Sequence, residues 1–279
     1  MFLLKFSLSI FLSGILLFFA FPWSSCAAVR TYKIGGTGGA LATMRLLAGE
    51  YKKSHPDISI QVLPSLGTTG GIRALSDGAL DLCLAARPLN AKELSSNFTY
   101  RPYAETAIVF ATSRCNEISR LGTREIAAIL SGTVRYWPDG TFIRLVMRSL
   151  TESDFVPVSD SSSELRSALQ VAARRTDTVF APTAQDNANI LESLPGSFGI
   201  TSLAQVISEH VAVKPLIYNG IEASLANLEN GTYPLKKAYA LVYRDSNLDT
   251  ALKDFLDFIF SEAACRRFRE TGHRCIGGQ

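Results

Sequence analysis

The chain has 279 residues, 47% of them hydrophobic, and 28 lysines and arginines oppose 25 acidic residues. A formal charge of +3 without a basic cluster excludes an ordinary nucleic-acid binder. Three scattered histidines and the lack of any CxxC pair exclude the usual zinc sites, and the length suits one large or two medium domains.

Residues 1–27 read as a leader rather than as part of a fold. Lys5 precedes an apolar run, Phe6 to Phe21, broken only by small residues; Pro22 follows, then Ser25 and Ala27 at the small-residue positions of a cleavage site. The run is short for a bilayer span, so cleavage near Ala27 is favoured over an uncleaved anchor, and Trp23 fits poorly before a lipid-modified Cys26. Only Lys5 carries charge in this segment, so its removal leaves +2. The expected location is the periplasm or the exterior. There disulfides form, and Cys265 and Cys275 are near enough in sequence to bridge, whereas Cys83 in an apolar segment reads as core.

A strand at Tyr32–Ile34 runs into Gly35-Gly36-Thr37-Gly38-Gly39, and a helix follows with Leu41, Met44, Ala48 and Tyr51 on one face, ending before Pro56. Ile58, Ile60 and Val62 alternate as a strand. A loop, Ser65 to Gly71, then leads to a second helix through Ile72–Leu75. Asp81–Ala85 reads as a buried strand closed by an exposed turn, Ala86-Arg87-Pro88. This strand–loop–helix repetition predicts a mostly parallel sheet with helices on its faces. Ala107–Ala111 and Tyr239–Tyr243 are apolar strands expected to cross between domains. Between them lie a helix at Thr123–Leu130, a turn at Trp137–Gly140, a strand at Ile143–Met147 and a helix opening at Ser161 with Glu164 as its capping-box partner. The turn Pro195-Gly196 precedes a strand at Phe198–Thr201. Leu252, Phe255 and Ile259 mark a final amphipathic helix expected to stop at Gly272.

Two glycine- and threonine-rich loops sit at strand ends, each opening a helix. Helix N-termini carry unpaired N–H groups and partial positive charge, glycines admit an anion to the backbone, and the hydroxyls of Thr37, Thr68 and Thr69 add donors. One such loop is usually a turn; two at the strand ends of one small domain point to an anion site. Arg148 directly follows a strand, with Ser153 beyond it. It either grips an oxyanion through two parallel hydrogen bonds or pairs with Glu152 or Asp154. Arg87 carries the same ambiguity, with a surface role favoured. No GxSxG, HExxH or phosphate-binding P-loop occurs, so no catalysis, metal or cofactor is expected.

Gly67-Thr68-Thr69-Gly70-Gly71-Ile72, then Asp81-Leu82, then Arg87-Pro88-Leu89, resemble the first-domain signature of periplasmic phosphate-binding proteins of ABC importers. The similarity continues through Tyr136-Trp137-Pro138-Asp139-Gly140, Arg148 after its strand, Pro195 to Ile200, and Gly231-Thr232-Tyr233-Pro234-Leu235. It implies the fold of a type II periplasmic binding protein, two Rossmann-like α/β domains joined by two crossing strands. The domains would be residues 29–106 plus 233–279, and 107–232. It also implies a non-catalytic, monomeric protein that presents a small oxyanion, phosphate first, to an ABC permease. The resemblance carries ligand contacts onto Gly38, Gly39, Thr68 and Arg148; with the residues read above, the expected set is Thr37, Gly38, Gly39, Gly67, Thr68, Thr69, Arg87, Arg148 and Ser153. Two departures leave the cargo open to sulfate, molybdate, tungstate or an organic acid, or the role open to exported sensing. Ala86 stands where the family has an acidic residue that accepts the ligand's proton, and Glu152-Ser153-Asp154 replaces a Ser-Gly-Thr helix start. Glu152 or Asp154 is expected to supply the missing acceptor if it faces the cleft.

Overall fold

The computed structural model describes residues 29–276, and the leader expected at 1–27, Cys26 included, lies outside them. Among the described residues no helix is long and apolar enough to cross a membrane. The first third alternates as its periodicity dictates. Strand β1 (Arg30–Gly36) leads through a single 3-10 turn, Gly38–Ala40, into α1 (Leu41–Ser54), which buries Leu41, Met44, Ala48 and Tyr51. Strand β2 (Ile58–Val62), helix α2 (Gly67–Ser76) and strand β3 (Leu82–Ala85) follow, with β2 and β3 flanking β1 in parallel.

A short α3 (Ala91–Leu94) precedes β4 (Thr99–Ser113), a strand far longer than the apolar run 107–111 indicated. Its first half pairs antiparallel with β11 (Lys236–Tyr243) and its second half with β8 (Ser197–Ser202), so one strand belongs to both ends of the sheet. The apolar packing changes along it: Tyr103 and Ala104 join one core, Ala107 to Phe110 another. Beyond it come β5 (Arg120–Leu121), α4 (Thr123–Ser131), β6 (Arg144–Met147), α5 (Phe155–Ser161), α6 (Ser163–Ala172), β7 (Val179–Phe180), α7 (Ala184–Ser193), β8 (Ser197–Ser202) and α8 (Leu203–Ser208). Short β9 (Val213–Pro215), β10 (Ile217–Tyr218) and α9 (Leu225–Glu229) lead to β11 (Lys236–Tyr243), the second long strand. The main sheet runs β2-β1-β3-β11-β4-β8-β6-β7, and β9 and β12 (His273–Cys275) also pair with β4.

Three local expectations need correction. Ser161 ends α5; the cap of α6 is Ser162, whose hydroxyl accepts from the amides of Glu164 and Leu165, so no box forms between Ser161 and Glu164. The glycines from Gly67 to Gly71 are helical, not loop. Gly67, at φ +65°, starts α2, and a side chain at Gly71 would lie 2.8 Å from both Cys83 Sγ and Gly36 Cα, so that glycine lets α2 press onto β1 and β3. The last amphipathic stretch is two helices, α10 (Thr250–Ile259) and α11 (Glu262–Glu270). Ser261 caps the second, and Gly272 follows it at φ +78°.

The tail is fastened covalently, since Cys265 on α11 is bonded to Cys275 on β12 with an S–S distance of 2.06 Å. Cys83 is fully buried, and burial pushes its thiol up to about 12. It is a core residue without nucleophilic character at neutral pH.

Candidate functional site

The first turn of α2 faces the segment that follows β6 across a cavity of about 260 Å³. Gly67, Thr68, Thr69 and Arg87 form one wall with Leu66; Thr151, Glu152 and Ser153 form the other. Residues 66–69 and 151–153, more than eighty positions apart in the sequence, are thereby brought together by the sheet order. The helix contributes unpaired amides at its start, which favour an anion. Thr68 Oγ1 accepts from the backbone amide of Ala86 at 3.0 Å, which leaves the hydroxyl proton free to donate.

Arg87 is neither a bare surface group nor a free anion ligand. Its guanidinium makes a forked pair with Glu93, at 2.8 Å for both oxygens, and Nη2 also donates to Thr69 Oγ1 at 3.1 Å. The Arg87 hydrogen bond outweighs burial and holds the Glu93 carboxyl below its usual range, so this pair stays ionised at neutral pH. The surface role favoured from the sequence is therefore replaced by a cavity-wall role with the charge compensated locally.

Arg148 is buried at the C-terminal end of β6 and is one salt bridge removed from the cavity wall. Its Nη2 meets Glu152 Oε2 at 2.9 Å, its Nη1 donates to Asp154 at 3.1 Å, and its Nε is buried with no partner among the described residues. Both carboxylates weighed as partners in the sequence are thus engaged, yet the arginine is not on the surface. Asp154 in turn accepts from Lys237 Nζ, which reaches it from β11. Burial pushes the Asp154 carboxyl upward, but the charges and hydrogen bonds of Lys237 and Arg148 win and hold it below the ordinary value. Lys237 was missed in the sequence, where it looks like half of an exposed pair with Lys236; only the fold carries it to Asp154.

Thr37, Gly38 and Gly39 lie outside the lining of this cavity, under α7. Gln185 on α7 donates to the Gly38 carbonyl at 3.2 Å and to Glu209 at 3.0 Å. A side chain at Gly38 would come within 2.8 Å of Ala184 Cβ and Gln185 Oε1, and one at Gly39 within 2.5 Å of the Tyr239 hydroxyl. Both glycines therefore permit the close approach of α7 and β11 to the start of α1. Asp186 and Asn187, just beyond on α7, serve local structure. Asp186 completes a capping box with Thr183, and Asn187 Nδ2 donates to Ile200 O at 3.0 Å. Among the described residues no group of histidine, cysteine or carboxylate side chains is arranged to hold a metal.

A mixed sheet with helices on both faces and an anion-suited cavity between its two ends defines an α/β solute-binding architecture of the type II periplasmic kind. A family model described as a PBP superfamily domain matches residues 24–263, and the chain belongs to that family. Among curated relatives it is similar to phosphate-binding protein PstS 2 of Streptococcus pneumoniae, with 28% identity over 102 residues. That match covers 37% of this chain and only about a third of the relative, 34%. Phosphate-binding protein PstS of Borreliella burgdorferi is 20% identical over 261 residues, covering 89% of this chain and 92% of the relative. Among solved structures, a Clostridium perfringens protein assigned as a phosphate ABC transporter substrate-binding protein, with phosphate bound, superposes with a TM-score of 0.75. It is 20% identical and the superposition covers 88% of this chain and all of that one, a likeness of fold.

Proposed function

We propose that this chain is an exported, non-catalytic solute-binding protein that captures phosphate or a related oxyanion and delivers it to an ABC permease. The observation that carries the reading is the meeting of the α2 N-terminal turn, with the Thr68 hydroxyl, and the Glu152–Ser153 segment on one cavity backed by buried Arg148. The phosphate-binding character of its relatives supports it. The two binding units would be residues 29–106 plus 233–279, and 107–232, acting as a monomer. Support for that division lies in the separate apolar cores, one drawing on residues 32–104 and 239–268, the other on residues 107–235. The amides and hydroxyls of 67–69 and Ser153 would hold the oxyanion, and Arg148 would steady Glu152 from behind the wall.

Glu152 gives the reading its finer form. Phosphate at neutral pH carries a proton on some of its oxygens, and a buried site needs an acceptor for it, whereas sulfate needs only donors. Ala86 supplies no acceptor, but Glu152 lines the cavity with a carboxylate already steadied by Arg148. Asp154, fully committed to Arg148 and Lys237, is not available for that role. Calorimetric titration of the protein with phosphate, sulfate, molybdate, tungstate and small organic acids tests this. Preferred binding of phosphate is expected; preferred binding of sulfate or tungstate would overturn the acceptor assignment, and binding of none would overturn the function.

A further inference from the structure

Behind the cavity wall stands a line of alternating charges: Lys237, Asp154, Arg148 and Glu152. Lys237 and Asp154 meet in the interior, with the Lys237 side chain 6% exposed and that of Asp154 8% exposed. The Lys237 ammonium also lies 5.0 Å above the Tyr239 ring. Arg148, 7% exposed, divides its two Nη groups between Asp154 and Glu152. Only Glu152, at 30%, opens towards the cavity. Lys237 comes from β11, which pairs with β3 and the first half of β4; the other three follow β6 at the far side of the sheet.

We infer that Lys237 is a positioning residue for anion capture, acting through Asp154 to leave Arg148 free to neutralise Glu152 at the cavity wall. This rests on the oxyanion-binding reading given above. The four side chains sum to zero charge, so beyond the local contact with Glu152 the line adds no net charge behind the cavity. Without Lys237 the line carries a net negative charge. Asp154, otherwise bare in the interior, then draws on Arg148 as its sole partner, and the Glu152 carboxylate faces the ligand uncompensated. A unit charge in a partly buried setting changes anion affinity by about tenfold at roughly 10 Å. Removing Lys237 and Asp154 together deletes a neutral pair and leaves Arg148 and Glu152 balanced, and such paired replacement is tolerated far better than loss of one partner.

Calorimetry with inorganic phosphate on the full chain, beside thermal unfolding of each variant, separates positioning from simple stability. Lys237→Met should weaken phosphate about tenfold, Asp154→Asn should tighten it several-fold, and the double variant should recover most of the loss. A purely structural lysine would lower the melting temperature without this charge-ordered pattern. Unchanged affinity in Lys237→Met, or a double variant no better than the single, overturns the inference while the function stands. If Lys237→Met does not fold, Asp154→Asn decides: unchanged or weaker phosphate binding overturns it. A wild-type protein that binds no oxyanion overturns the function and this inference together.

Discussion

The amide of Ala86, at the end of β3, donates to the hydroxyl oxygen of Thr68 in the first turn of α2, 3.0 Å away. That bond fixes which way the hydroxyl points. With the oxygen's lone pair engaged by a backbone amide, the proton is directed elsewhere, and the cavity adjoins it. Thr68→Ala removes the donor proposed for the ligand and also leaves the buried Ala86 amide unpartnered. Phosphate affinity should fall about tenfold, with a loss of roughly 1–3 kcal/mol in stability. Thr68→Ser keeps both hydrogen bonds and should bind within a few-fold of the wild type. Equal affinity in Thr68→Ala, measured by calorimetry, would remove this residue from the site.

Much of this arrangement was legible because it rests on local rules. The 3.6-residue period of Leu41 to Tyr51, the alternation of Ile58 to Val62 and the apolar run before Ala86 each gave an element of the right type. The glycine-rich start of α2 has the composition of a loop, since glycine disfavours helices. Here tight packing of Gly71 against Cys83 and Gly36 overrides that preference. Lys237 could not be read at all. Nothing within its own strand distinguishes it from exposed Lys236, and its partner Asp154 lies 83 positions away. Arg148 was recognised from its place after a strand. Its burial between two carboxylates depends on how the turn 149–154 folds back, which no periodicity encodes.

The Cys265–Cys275 bridge joins the last helix to the strand that pairs with β4, so it fixes an element of the sheet rather than a loose end. Closing so short a loop should contribute roughly 2–3 kcal/mol by the chain-entropy estimate. Reduction, or the double change Cys265→Ser with Cys275→Ser, should lower stability by that amount in urea titrations while phosphate affinity stays near that of the wild type. Peptide mapping without reductant should recover the two segments as one linked fragment; two free thiols there would contradict the bridge.

His273 gives the fold a sensitivity to mild acid. The ring is completely buried, its Nδ1 lies 3.1 Å from Thr271 Oγ1, and burial brings its pKa from 6.5 down to about 4. The unfolded chain takes up a proton below pH 6.5 that the folded chain refuses until about pH 4. Stability is therefore intact above pH 6.5 and falls as the pH drops through this window, by about 3 kcal/mol in all. The depressed Asp154 carboxyl adds its own loss only below its ordinary value of 3.8, so the two effects separate in pH. Chemical denaturation at a series of pH values should show the slope between 6.5 and 4, and His273→Gln should flatten it whatever it does to stability at neutral pH. A wild-type curve flat across that window would contradict the buried neutral ring.

Selectivity is expected to turn on Glu152, the one carboxylate of the charged line that reaches the cavity. A proton on the ligand needs an acceptor, and the wall opposite Thr68 offers this group; a ligand without a proton meets it as a repulsive charge. Glu152→Gln exchanges that charge for an amide of nearly the same shape, which can donate as well as accept. Phosphate loses a charge-assisted hydrogen bond worth about 1.5–3 kcal/mol, about tenfold or more in affinity, while sulfate and tungstate lose a repulsion. The ratio of phosphate to sulfate affinity should thus shift by well over tenfold, with sulfate binding rising in absolute terms. Competition calorimetry at neutral pH on both proteins measures the shift. Phosphate binding equally tight in the variant would assign the ligand's proton to some other acceptor.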